Sequence, residues 1–197
     1  MRTKLLVLIC GALMAGCGGG SSSAQLKLMD APPSGVTAVN ITVASMQVHV
    51  DDKNSTKGGD PADGSIDDDA KWVSLPVNKR IDLVQHQGET AAEVLGQLDL
   101  PEGKITQIRL LIDTSKPENN TATVAGKACN LDVAKVAKKG IKINHAFKAL
   151  ESKSGAKHEV FVDFELDKSL KSKDSCYELE PKLKLAHVKT DGKDQSL

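Results

Sequence analysis

An all-β fold, a two-sheet antiparallel β-sandwich with one short crossover helix, is what this sequence predicts, and three observations predict it. The stretch VTAVNITVASMQVHV, Val36 to Val50, alternates apolar and polar residues with the period of a half-buried strand. Short apolar runs recur along the rest of the chain, separated by Gly, Pro, Asn and Asp. No helical patterns alternate with these runs, which argues against a parallel α/β sheet.

The elements follow in order. Arg2 and Lys4 precede an apolar stretch from Leu5 to Ala15 that ends in Leu13-Met14-Ala15-Gly16-Cys17, a secretory signal with small residues before a cysteine. This ending resembles the lipobox of bacterial lipoproteins, which implies cleavage after residue 16 and acylation of Cys17; a plain secretory signal is the alternative. The resemblance implies three acyl chains, and at about 0.8 kcal/mol per buried methylene they would hold the chain to a membrane permanently. Gly18 rather than Asp after Cys17 implies, by the enterobacterial sorting rule, the outer membrane. Residues 17–24 read as the lipidated cysteine and a Gly/Ser tether with a reach of roughly 13 Å. Residues 25–190 read as one β-sandwich domain and 191–197 as a flexible tail.

Within the domain the expected strands are Gln25 to Met29, Val36 to Val50, Lys71 to Val77, Arg80 to Val84, Ile105 to Asp113, Ala122 to Val133 with a break, Ile141 to Phe147, Glu159 to Leu166, and Tyr177 to Val188. In the long strand Val39, Ile41 and Val43 share one parity and Met46, Val48 and Val50 the other, so a β-bulge is expected at Ala44-Ser45. The crossover helix is expected at Thr90 to Leu98, where Ala91, Val94, Leu95 and Leu98 fall on one helical face. Gln25 to Met29 is expected at a sheet edge, where it could pair with a partner's strand. Late in the chain Val160, Val162, Phe164 and Leu166 should point inward, with Phe161, Asp163, Glu165 and Asp167 outward. Tyr177, Leu179, Leu183 and Leu185 should point inward, with Glu178, Glu180, Lys182 and Lys184 on a charged, solvated face.

Composition narrows the function. The chain has 197 residues, with 26 Lys and Arg against 26 Asp and Glu, so it lacks the basic excess of a nucleic-acid binder. After the signal, no apolar run approaches the ~20 residues of a spanning helix. Loss of Arg2 and Lys4 with the signal leaves 24 basic against 26 acidic residues. Cys10 departs with the signal and Cys17 is lipidated, so Cys129 and Cys176 form the remaining pair. In an oxidising envelope an even pair suggests a disulfide, with two buried thiols or a metal pair as alternatives. Neither has a CxxC partner or a His at zinc-ligand spacing.

The segment from 51 to 69 carries seven Asp against Lys53 and Lys57. Oxygen-rich loops suit Ca²⁺, but this spacing fits no EF-hand, and the segment reads as a solvated hairpin loop with a cation site as the alternative. His49, at the mouth of that loop, is the histidine placed to join such a site. His86, His145, His158 and His187 are scattered, and no HExxH, GxSxG or P-loop pattern occurs. No catalytic residue, metal ligand or cofactor is assigned, and enzyme activity is not expected. Aromatics make up 3% of the chain, which disfavours a saccharide platform; Trp72 and Phe161 are the candidates left for one.

Several segments taken together, LKLMDAP, VTAVNITVASMQVHV, WVSL, IDLVQ, LPEGKITQIRLLID, VFVDFELDKSL and YELEPKLKL, resemble in this order the bacterial envelope lipoprotein family known as domain of unknown function 4382. The resemblance covers about Leu26 to Leu185. It implies a prealbumin-like β-sandwich in which a Leu-Pro-x-Gly turn leads into a long strand, and it implies no activity. The expectation is therefore a membrane-anchored, non-enzymatic interaction or assembly module of the bacterial envelope, with an envelope protein as partner. A module binding glycan or Ca²⁺ is the alternative.

Overall fold

The computed structural model describes residues 21–29, 34–51, 71–86, 88, 92–143 and 150–195. Its spine is the alternating segment, strand β2 (Val36–Asp51). Val39, Ile41 and Val43 are fully buried, and so are Met46 and Val48 beyond a register shift between Val43 and Ser45. The extra residue at Ala44 resets the parity, so both halves of the strand keep their apolar side on the core.

Strand β1 (Ser22–Met29) belongs to the first sheet, and β3 (Lys71–Asp82) pairs with β2 in the second. β3 merges the two strands expected at 71–77 and 80–84. Asn78 takes φ 46°, a left-handed conformation that Asn tolerates, and the chain continues through a bulge opposite Ala44. Pro76 lacks an N–H, which an outer strand accommodates. Asp82 Oδ1 then accepts from Val84 N at 3.2 Å and Val39 N at 3.0 Å, capping a 3-10 turn at Leu83–Gln85.

The helix expected at Thr90 to Leu98 is instead strand β4 (Glu93–Leu100). Its pairing with β1 slips between Leu26 and Lys27, so Leu95 is bulged. That bulge places Leu95 and Leu98 both on the core side three residues apart, a spacing that imitates a helix. Gly96 stands at the bulge with φ 153°, which L side chains rarely adopt, and a Cβ there would also push on Leu75 Cδ2 of β3.

The chain continues through β5 (Gly103–Ile112), β6 (Thr121–Val124), β7 (Lys127–Asn130), helix α1 (Ala134–Ala137), β8 (Ile141–Ile143), β9 (Glu151–Ser152) and β10 (Lys157–Asp163). After helix α2 (Leu166–Ser169) come β11 (Leu170–Lys173), β12 (Cys176–Leu179), β13 (Lys184–Thr190) and β14 (Lys193–Gln195). Pro181 separates β12 from β13, splitting the single strand expected there. The tail expected from 191 instead turns at Asp191-Gly192, both at positive φ, and pairs β14 with β13.

One sheet has the order β14-β13-β10-β1-β4. The other is β7-β6-β2-β5-β8, with β3 on the far side of β2 and β9 on β5. Pairings are antiparallel except β1 with β10, which is parallel. β1 is therefore flanked on both sides, not an edge, and its backbone groups are already used; strand addition at Gln25 to Met29 is ruled out. β11 and β12 form a separate hairpin over one end.

The core lies between the sheets. Leu26, Leu28, Val160, Val162 and Phe164 come from one side, and Ile41, Val43, Met46, Ile105, Ile108 and Leu110 from the other. Leu166, Leu170 and Leu179 close it beneath the hairpin. Each such side chain contributes about 1.5–3 kcal/mol by leaving water.

Candidate functional site

The parity that sends Met46, Val48 and Val50 inward sends Gln47, His49 and Asp51 to the opposite face of the second sheet. Across the strands His49 lies opposite Trp72 of β3 and Gln107 of β5, Gln47 opposite Arg109, and Arg109 opposite Lys142 of β8. An outer face normally presents polar groups to water. Here His49, Asp51 and Gln107 are buried.

The contacts on this face are specific. The β5 ladder bulges at Thr106, whose hydroxyl hydrogen-bonds His49 Nδ1, and Asp51 Oδ1 stands 3.6 Å from the same nitrogen. Gln47 Nε2 donates to Ser74 Oγ at 3.1 Å. The Arg109 guanidinium lies over Trp72, with Cζ 4.5 Å from the ring centroid. His49 meets the same indole at 4.9 Å between centroids, tilted by 57°. Among the described residues, neither the buried His49 Nε2 nor the buried Arg109 Nε has a hydrogen-bond partner. Burial holds the His49 imidazole below its ordinary pKa; Asp51 opposes this and Arg109 adds to it.

A second polar place lies at the end of the sandwich where β1 begins. The Ser22 and Ser152 hydroxyls hydrogen-bond each other, and Ser152 Oγ also donates to Pro101 O at 2.5 Å. Ser23 N donates to Ala156 O at 2.9 Å and Gly155 N to Ser21 O at 3.1 Å. Beside them an open cleft of about 400 Å³ is lined by Glu151, Lys153, His158, Thr190 and Asp191 among others. Thr190 Oγ1 and His158 Nδ1 are 3.0 Å apart. Burial lowers the His158 pKa, with Asp191 pulling it back up.

Cys129 and Cys176 are joined in a disulfide with Cα atoms 5.8 Å apart, which ties β7 to the β11–β12 hairpin. Cys17, His145 and the acidic segment after Asp51 lie outside the described residues; Asp51 itself ends β2. Among the described residues no three His, Cys, Asp or Glu side chains converge as a metal site. Neither aromatic candidate is a bare platform. Trp72 carries the Arg109 guanidinium. Phe161, expected to point outward into solvent, is buried beneath His187, stacked at 4.0 Å, with the Lys27 and Lys189 ammonium groups 4.8 and 5.0 Å from its ring centroid. The sequence reading passed over Thr106, Gln107, Arg109 and Lys142, because a polar residue at every second strand position looks like an ordinary solvated face.

Residues 21–181 match the family described as Domain of unknown function (DUF4382). The chain belongs to this family. The DUF4382 match begins just before β1 and ends at Pro181, and β13, beyond it, completes the first sheet by pairing with β10. Comparison of this DUF4382 chain with curated proteins finds no match.

Proposed function

We propose that this DUF4382 protein is a bacterial envelope lipoprotein, acylated at Cys17, whose sandwich is a non-enzymatic interaction or assembly module held against the bilayer surface. The observation that carries this reading is the early start of the fold. Ser22, expected in the tether, is 1% exposed and bound to Ser152. Only Gly18 to Ser21 remain between the acylated cysteine and the sandwich, and five Cα steps span roughly 17 Å at full extension. The end of the molecule bearing the β4–β5 turn, the Lys153-to-Ala156 turn and the β13–β14 turn would then face the headgroups, leaving the disulfide-clipped hairpin at the opposite end for a partner.

The test is metabolic labelling of the full chain with a clickable palmitate analogue, together with crosslinking in native envelopes. Labelling, sedimentation with membranes and capture of one stoichiometric partner should all be lost in Cys17→Ala. Label retained by Cys17→Ala would refute the anchor. A wild-type protein that crosslinks to no partner would refute the assembly role.

A further inference from the structure

We propose that the outer face of the second sheet at Arg109 and Lys142 is a binding site for a dianionic oxyanion of the phosphate class. The register makes Arg109 and Lys142 direct cross-strand partners, so two cations stand side by side on one face, an arrangement that destabilises a sheet unless something neutralises it. Lys139 adds a third positive charge to the group, and Arg109 also acts on His49. Some lysines elsewhere on the surface meet carboxylates, Lys135 with Glu178 and Glu180, Lys168 with Glu165 and Lys173 with Asp132, whereas the cross-strand neighbour of Arg109 is another cation. Among the described residues Arg109, Lys139 and Lys142 have no carboxylate within ion-pair distance, and Asp51 is turned to His49.

The place is also partly dry. Arg109 is half-buried, its Nε is buried without an acceptor among the described residues, its Nη2 donates to the buried Gln107 Oε1 at a long 3.5 Å, and Trp72 covers one face of the guanidinium. Desolvation is the main cause of the lowered pKa of both Arg109 and Lys142, with repulsion from Arg109 and Lys139 adding at Lys142. Partial loss of water disfavours an unpaired cation unless a counter-charge offsets it. The planar fork of Arg matches two oxygens of one phosphate, while Lys supplies a point charge beside it. A monoanion would leave most of the local charge unbalanced; a dianion meets Arg109 and Lys142 together.

Trp72 is the chain's one tryptophan, so its emission reports on the site. The full chain in detergent is titrated with inorganic phosphate at ionic strength held constant with chloride. We expect a saturable change in Trp72 emission, with affinity reduced about tenfold or more in Lys142→Gln, the loss of one charge-assisted contact, and unchanged in Lys171→Gln on the distant hairpin. Removing the like-charge contact should also raise the Tm of Lys142→Gln in the absence of phosphate while abolishing the Tm gain that phosphate gives the wild type. No saturable change, or equal affinity in Lys142→Gln, overturns the proposal. So does a Tm for Lys142→Gln below that of the phosphate-free wild type.

Discussion

Removing the Cys129–Cys176 bridge tests how this fold is stabilised. The bridge spans a sequence separation of 47 residues, and the chain-entropy relation for a loop of that length gives about 4 kcal/mol. The folded side of the balance should change little. Asp132 N donates to Tyr177 O at 2.9 Å and Leu179 N to Asp132 O at 2.8 Å, and Lys173 pairs with Asp132, so the hairpin stays docked without sulfur. The effect therefore lies in the unfolded chain, which the bridge keeps compact. Against a typical total of about 5–15 kcal/mol, the loss is large. For a domain of this size it corresponds to a Tm lower by roughly 8–16 °C. The assay is thermal and urea unfolding of Cys129→Ala/Cys176→Ala beside the oxidised wild type. The urea m-value should rise, because a less constrained unfolded state exposes more surface. A Tm change of only a few degrees, or an unchanged global Tm with protease cutting confined to the hairpin, would refute the reasoning.

Two further outcomes follow from local geometry. Gly140 sits at φ 68° after α1, where a Cβ would lie 2.6 Å from Leu110 O and 2.9 Å from Leu111 Cδ2; Gly140→Ala should cost at least about 2 kcal/mol, read as a lower denaturation midpoint. His49 and His158 are both held below the ordinary value of 6.5, chiefly by burial, so the unfolded chain takes up protons more readily than the folded one. Their contribution to stability is complete above that value and is lost as pH falls below it. Tm should fall between pH 7.5 and 5.5, and His49→Gln/His158→Gln should flatten that slope; an equal slope in the double variant would contradict the assignment.

Much of the fold was legible from local pattern. The parity slip at Ala44-Ser45 named the bulge in β2, and alternation in β10 placed Val160 and Val162 in the core, because both signals lie within one strand. Pattern failed where neighbours decide. The three-residue spacing of Leu95 and Leu98 reads as helix until β1 is laid beside it and the bulge becomes visible. β1 looked like an edge because its partner β10 lies more than a hundred residues away along the chain. Phe161 has the parity of an exposed residue, and only the register that brings His187 beside it explains its burial. The cationic site was missed for the same reason. Arg109 and Lys142 are unremarkable singly, and their conflict exists only once β5 and β8 are paired.

The position of β1 also bears on mechanics. The strand that would follow the proposed N-terminal tether is held by hydrogen-bond ladders on both sides, over Ser23–Met29 by β10 and over Ser22–Leu28 by β4. A pull on the proposed anchor, opposed at the far end of the sandwich, would run along the strand axis and load both ladders in shear at once. Peeling, which breaks one hydrogen bond at a time, needs a force across the strand at a free edge, and β1 has none. The element that would carry a membrane tether is thus in the geometry that best resists tension. The short outer strand β14, three residues paired on one side only, lies at the far edge of the same sheet, three strands from β1.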